Sequence, residues 1–107
     1  MIEEAKKIIN EEAQGIINLA ENIDESFSKA LDLLLSCQGK VIIMGLGKSG
    51  LIGRKIAATF ASTGTPSFFV HVVEALHGDS GMISDKDVVI MISNSGKTEE
   101  LISLVPF

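Results

Sequence analysis

The sequence has 107 residues, too few for more than one domain, and its 46% apolar and 21% charged content is that of a globular chain. Nine basic against fourteen acidic residues leave a formal charge of -5 with no basic run, which argues against a nucleic-acid partner or an anionic membrane surface. Cys37 is the single cysteine, excluding an internal disulfide and a cysteine metal cluster; with a charged start, MIEEAKKIINEE, and no stretch of ~20 apolar residues, the chain reads as soluble and cytoplasmic, with no membrane partner.

Residues 2–20 set Ile2, Ala5, Ile9, Ala13, Ile16 and Ile17 at helical spacing, with Glu3, Glu4, Lys6, Lys7, Glu11 and Glu12 opposite, which predicts an amphipathic helix. Gly15 inside it marks a bend or a close backbone contact. Asn22 with Glu25 reads as a capping box for a second helix, whose apolar face is Ile23, Phe27, Ala30, Leu31 and Leu34 and which Gly39 is placed to end. The helical segment, residues 1–38, is either a packing layer on a sheet or an oligomer contact.

Residues 41–44 are apolar without alternation, as in a parallel strand covered on both faces. They run into Gly45-Leu-Gly47-Lys-Ser-Gly50 and then into a helix predicted over residues 49–63. Its Gly53, Ala57 and Ala61 form a small-residue stripe that lets it lie close on the sheet, with Ile52, Ile56 and Phe60 beside it and Gly64 as its stop. Pro66 opens a second extended run, residues 67–70. Residues 71–84 then break into one helical turn around 74–77 and a glycine-punctuated loop. Val88 to Ile92 is the third strand; it leads into Ser93-Asn-Ser-Gly-Lys-Thr-Glu-Glu and a helix carrying Leu101, Ile102, Leu104 and Val105. This order implies right-handed parallel crossovers and a layered α/β fold.

Three nucleotide readings compete for the first turn. The glycines satisfy GxGxxG after a strand, but the dinucleotide pattern wants an acid closing the second strand, and that strand closes on His71 with Glu74 three residues beyond. GKS at 47–49 and GKT at 96–98 imitate a Walker loop, yet Ile42 and Met91 stand where its first glycine belongs. There remains a hydroxyl-rich cradle. Ser49, Ser93, Ser95 and Thr98 lie at the carboxyl ends of neighbouring parallel strands, where their hydroxyls and the backbone N–H groups near Ser49 and Thr98 suit a phosphate monoester. The alternative is that these residues only cap the two helices.

The segments GLGKSGLIGRKIAATFASTGTPSFFVH, EALHGDSGM and DVVIMISNSGKTEEL resemble the sugar isomerase (SIS) domain, most closely arabinose 5-phosphate isomerases of the 3-deoxy-D-manno-octulosonate (KDO) pathway of lipopolysaccharide synthesis, over residues 39–104. The resemblance implies a three-layer, flavodoxin-like parallel sheet, here reduced to about three strands (residues 39–107) behind the two N-terminal helices; the CBS domains common after this domain in the family are not among residues 1–107. It also implies a homo-oligomer, a sugar-phosphate ligand and interconversion of D-ribulose 5-phosphate and D-arabinose 5-phosphate without a cofactor. By motif position Ser49, Ser93, Ser95 and Thr98 match the phosphate-binding residues, and Lys48, His77 and Glu100 the reactive end. The sequence departs from the family at His71-Val-Val-Glu-Ala, where His-Pro-Gly-Glu-Ala is usual, and at Lys97, where glutamate is frequent. The family's last two strands and its later acid and histidine fall outside these residues. Val88 to Ile92 then forms a long apolar edge, so the isolated chain is expected to be poorly stable or completed by another copy or a further segment, and turnover by these residues alone is not expected.

Aldose–ketose isomerisation needs a base that moves a proton between adjacent carbons and an acid at the carbonyl oxygen, through a cis-enediol. Glu100 is the favoured base, its alternative being a first-turn glutamate favoured by the helix dipole. Lys48 either neutralises an oxyanion or is an exposed turn lysine. His77 acts on the ring oxygen or carbonyl, is a structural loop histidine, or holds an adventitious divalent metal. Glu99 is expected to face solvent and Asp79 to order its loop. A non-catalytic sugar-phosphate sensor is the competing function, though the acidic N-terminal helices lack a basic recognition helix, and a dinucleotide-binding Rossmann domain is the third.

Overall fold

The computed structural model describes residues 1–96, which fall into two compact units, Met1–Asp32 and a second beginning at Leu33. Thr98, Glu99, Glu100 and the helix expected around Leu101 lie outside the described residues.

In the first unit, α1 (Ile2–Glu21) carries Glu3 and Glu4 in its first turn, where the helix dipole favours acids. Lys7 pairs with Glu11 at 3.9 Å one turn on. Gly15 has open space where a side chain would stand, so it marks no close contact. The junction with α2 (Glu25–Leu35) corrects the expected capping box. Asn22 closes α1 instead: its backbone amide returns to Leu19 and its side-chain amide donates to the Asn18 carbonyl at 2.9 Å. Asp24 opens α2, its carboxylate accepting from the Ser26 amide at 2.9 Å and the Ser26 hydroxyl at 2.6 Å, and these bonds hold its carboxyl below the ordinary range.

The second unit is built on β1 (Val41–Gly45), every residue of which is buried. Successive side chains of a strand point to opposite faces. Ile42 and Met44 therefore pack with Val70, Val72 and Ala75 on one face, while Val41 and Ile43 pack with Ala57 on the other. The unalternating apolar run thus reflects two covered faces, as the sequence implied. β1 pairs in parallel with β2 (Ser67–Phe69) on one side and β3 (Val88–Ile92) on the other, giving the order β2-β1-β3. This is the expected α/β architecture, a three-stranded parallel sheet preceded by two helices.

The helix after β1, α3 (Gly47–Ser62), begins two residues earlier than predicted. Its small buried face is Gly50, Gly53 and Ala57, whereas Ala61 and Ile52 are exposed. The stripe runs at the i, i+3, i+7 positions of one helical face rather than at every fourth residue. A methyl group on Gly53 would lie 3.0 Å from Ile43 Cγ2 and 3.2 Å from the Phe69 ring. Beyond β2, His71 caps α4 (Val72–Leu76), which starts two residues before the predicted turn, and a 3-10 turn spans Asp79–Met82.

Gly39 does not end α2, which stops at Leu35. Its amide donates to the Lys86 carbonyl at 2.9 Å, and a side chain there would collide with the Asp87 carboxylate. That carboxylate accepts from the Lys40 amide at 2.7 Å and the Ser84 amide at 2.9 Å, with Lys40 Nζ at 3.9 Å. It ties the approach to β1 to the approach to β3, fixing the register that aligns their other ends. No helix among the described residues is long and apolar enough to cross a membrane.

Candidate functional site

Gly45, the last residue of β1, is paired with Ile92, the last residue of β3. The two turns that carry the candidate site residues, 46–49 and 93–96, therefore leave the sheet side by side at its carboxyl rim, where ligands bind in open α/β sheets.

In the first turn Leu46 is the N-cap of α3 and offers no side-chain cap. The first intrahelical bond comes from the Gly50 amide to the Leu46 carbonyl at 3.1 Å, so helix geometry gives the amides of Gly47, Lys48 and Ser49 no acceptor within α3. Gly47 holds φ at +54°, a left-handed conformation that favours glycine, and its Cβ position is open. Ser49 is half-buried inside the first helical turn, not at the cap expected of a helix starting there. In the second turn the Ser93 hydroxyl oxygen accepts from the Gly96 amide at 2.9 Å, closing a tight loop in which Gly96 has φ +70°. Ser95 is exposed within that loop.

Lys48 lines an open cleft of about 490 Å³ on the β2 side of α3, together with Leu51, Arg54, Phe69, His71 and the glycine backbone at 45, 47 and 50. Ser49, His77, Ser93 and Ser95 do not line it. The Arg54 guanidinium lies 4.5 Å from the centre of the Phe69 ring, and His71 meets that ring edge-on at 6.5 Å and 81°. His71 Nδ1 accepts from the Val73 amide at 3.1 Å, which in the neutral imidazole leaves the proton on Nε2. His77 is the C-cap of α4, its amide returning to Val73 and Glu74, and its side chain is exposed. Among the described residues no cluster of three His, Cys, Asp or Glu side chains could hold a metal ion.

Arg54, Phe69 and His71 were not singled out from the sequence as site residues. His71 was legible as the residue following a parallel strand at its carboxyl end. Arg54 became visible only with the phase of α3, which puts it on the flank shared by Gly47, Gly50 and Leu51.

The family pattern described as the SIS domain matches residues 34–107. The arabinose 5-phosphate isomerase KdsD of Yersinia pestis is 54% identical over 101 residues, covering 94% of this chain and 31% of the relative; that of Pseudomonas aeruginosa is 52% identical over 105 residues, covering 98% and 32%. The chain thus spans about a third of the length of these relatives. Among solved structures, Escherichia coli CFT073 c3406 in complex with A5P superposes with a TM-score of 0.90 at 50% identity, over 98% of this chain and 56% of that one. A Bacteroides fragilis protein assigned as a phosphosugar isomerase involved in capsule formation does so with a TM-score of 0.92 at 40% identity, over 99% and 56%.

Proposed function

Because the chain belongs to the SIS domain family, whose pattern matches residues 34–107, we propose that it carries the sugar-phosphate end of an aldose–ketose isomerase that interconverts D-ribulose 5-phosphate and D-arabinose 5-phosphate. The observation that carries this reading is the Gly45–Ile92 pairing, which sets a turn with N–H groups lacking helical acceptors beside a hydroxyl-bearing turn. Such a rim suits a phosphate monoester, and relatives more than half identical to this chain over nearly all of its length are arabinose 5-phosphate isomerases.

In this account Ser49, Ser93, Ser95 and Thr98 hold the phosphate. Glu100 moves the proton between the adjacent carbons, Lys48 balances charge on the developing enediolate oxygen, and His77 serves the ring oxygen or carbonyl. The chemistry calls for no cofactor. The setting is cytoplasmic, with no nucleic-acid or membrane partner, and the working form is a homo-oligomer; the exposed Ile9 and Ile16 on α1, a helix with no buried residue, support an oligomer contact there.

The test places residues 1–107 in a chimera, in place of the matching segment of the Yersinia pestis relative, and follows D-ribulose 5-phosphate by NMR. Turnover is expected, and Lys48→Met or Glu100→Gln should lower kcat about a hundredfold or more. A folded chimera without turnover, or full activity in Glu100→Gln, overturns the reading.

A further inference from the structure

Among the described residues, the cleft on the β2 side of α3 is lined by three donor side chains, Lys48, Arg54 and His71, and by no carboxylate. Lys48 and Arg54 are both exposed, and among the described residues neither forms an ion pair with an acid. That is unusual for a chain with a net charge of -5, in which acids outnumber bases fourteen to nine. The Arg54 side chain is also not simply free in solvent, because its guanidinium carbon lies over the Phe69 ring, 4.5 Å from the ring centre. A guanidinium already resting on a ring loses less freedom when it engages an oxyanion. His71 adds a directed donor: with Nδ1 occupied by the Val73 amide, the neutral ring has Nε2–H to offer. Leu51 and Phe69 supply an apolar wall, and the volume of about 490 Å³ is that of a small-molecule site.

The geometry points to an oxyanion-binding site in this cleft, with Arg54 and His71 as its ligand-contacting residues and a small phosphate- or carboxylate-bearing molecule as its ligand. It is distinct from the second turn, since neither Ser93 nor Ser95 lines it, and it shares Gly47 and Lys48 with the first; its ligand contacts, Arg54 and His71, are residues to which the isomerase reading gives no role. Lys48 borders the cleft and balances charge from the turn side.

Inorganic phosphate titrated into the 15N-labelled protein, against sodium chloride of matched ionic strength, tests this. Saturable shifts are expected at the Leu51 amide, Arg54 Nε and His71 Nε2. Arg54→Gln should weaken that response about tenfold or more while leaving the 93–96 amides as in the parent. Arg54→Lys, which keeps the charge and loses the fork, should weaken it too and serves where Arg54→Gln does not fold. Adding D-arabinose 5-phosphate separates two sources of the same chemistry: displacement of phosphate from the cleft assigns the oxyanion to the sugar phosphate, and unaltered cleft shifts assign it to a free anion. No saturable cleft response, or equal affinity in the parent and both Arg54 variants, overturns the proposal.

Discussion

A methyl group built on Gly50 would lie 2.9 Å from the carbonyl oxygen of Gly45, and one built on Gly45 would lie 3.0 Å from the amide nitrogen of Gly50. The first turn of α3 therefore rests on the end of β1 at backbone distance. This contact gives two of the three glycines in the GxGxxG spacing a packing role that needs no dinucleotide. Gly47, between them, is required for its backbone conformation instead.

The two roles separate by mutation. Gly50→Ala must push a helix turn off the strand end and should cost about 1–3 kcal/mol in urea denaturation, as overpacking does. Gly47→Ala meets no neighbour but must hold φ at +54°, costing about 1–2 kcal/mol, with Gly47→Asn milder. Gly15→Ala in α1, where the space is open, should instead stabilise its helix by up to about 1 kcal/mol.

Ile43 tests the sheet itself. It is fully buried, packs with Val41 and Ala57 on the α3 face, and its Cγ2 bounds the space at Gly53. Ile43→Ala should destabilise by about 2–5 kcal/mol. Combined with Gly53→Ala, which refills part of the space, it should cost less than the sum of the two single changes, as calorimetry of the four proteins would show.

Asp87 should make stability depend on acid. Its side chain is almost wholly buried, and the Lys40 amide first, then the Ser84 amide and the Lys40 charge, hold its carboxyl below the ordinary 3.8, against the opposing effect of burial. A depressed carboxylate contributes stability that is fully present above the unfolded value and is lost as pH falls through the folded one. Melts between pH 5 and pH 2 should thus show a loss that begins near the unfolded value, about 4. Asp87→Asn should be less stable at neutral pH and show a shallower decline with acid; a parallel decline would contradict the assignment.

Much of the fold was legible because β1 and β3 are short, apolar and punctuated. The unalternating run Val41–Met44 carries its own evidence of burial on two faces, whereas Val88–Ile92, equally apolar, is half-buried with Met91 exposed, at the edge of the three described strands. The misreadings fell where several polar residues compete for one terminus. Asn22 and Asp24 both suit a helix cap, and the choice between them is made by which amide each oxygen can reach, Ser26 for Asp24. Gly39 looked like a helix stop because nothing local reveals Asp87, 48 positions away in the chain, which crowds it. At the site, Lys48 and the serines were visible as turn residues after strands. His71 was visible only as the residue after a strand, and its meeting with Arg54 was not, since the two come together through Phe69, a tertiary contact between α3 and β2.

The central claim is that the rim formed by the ends of β1 and β3 binds a sugar phosphate, and titration of D-arabinose 5-phosphate into the 15N-labelled protein tests it most directly. The account predicts saturable shifts centred on the amides of residues 47–49 and 93–98, and loss of that binding in the Ser93→Ala, Ser95→Ala double variant. Binding of equal affinity in the double variant, or saturable shifts that leave both turns unmoved, would contradict it.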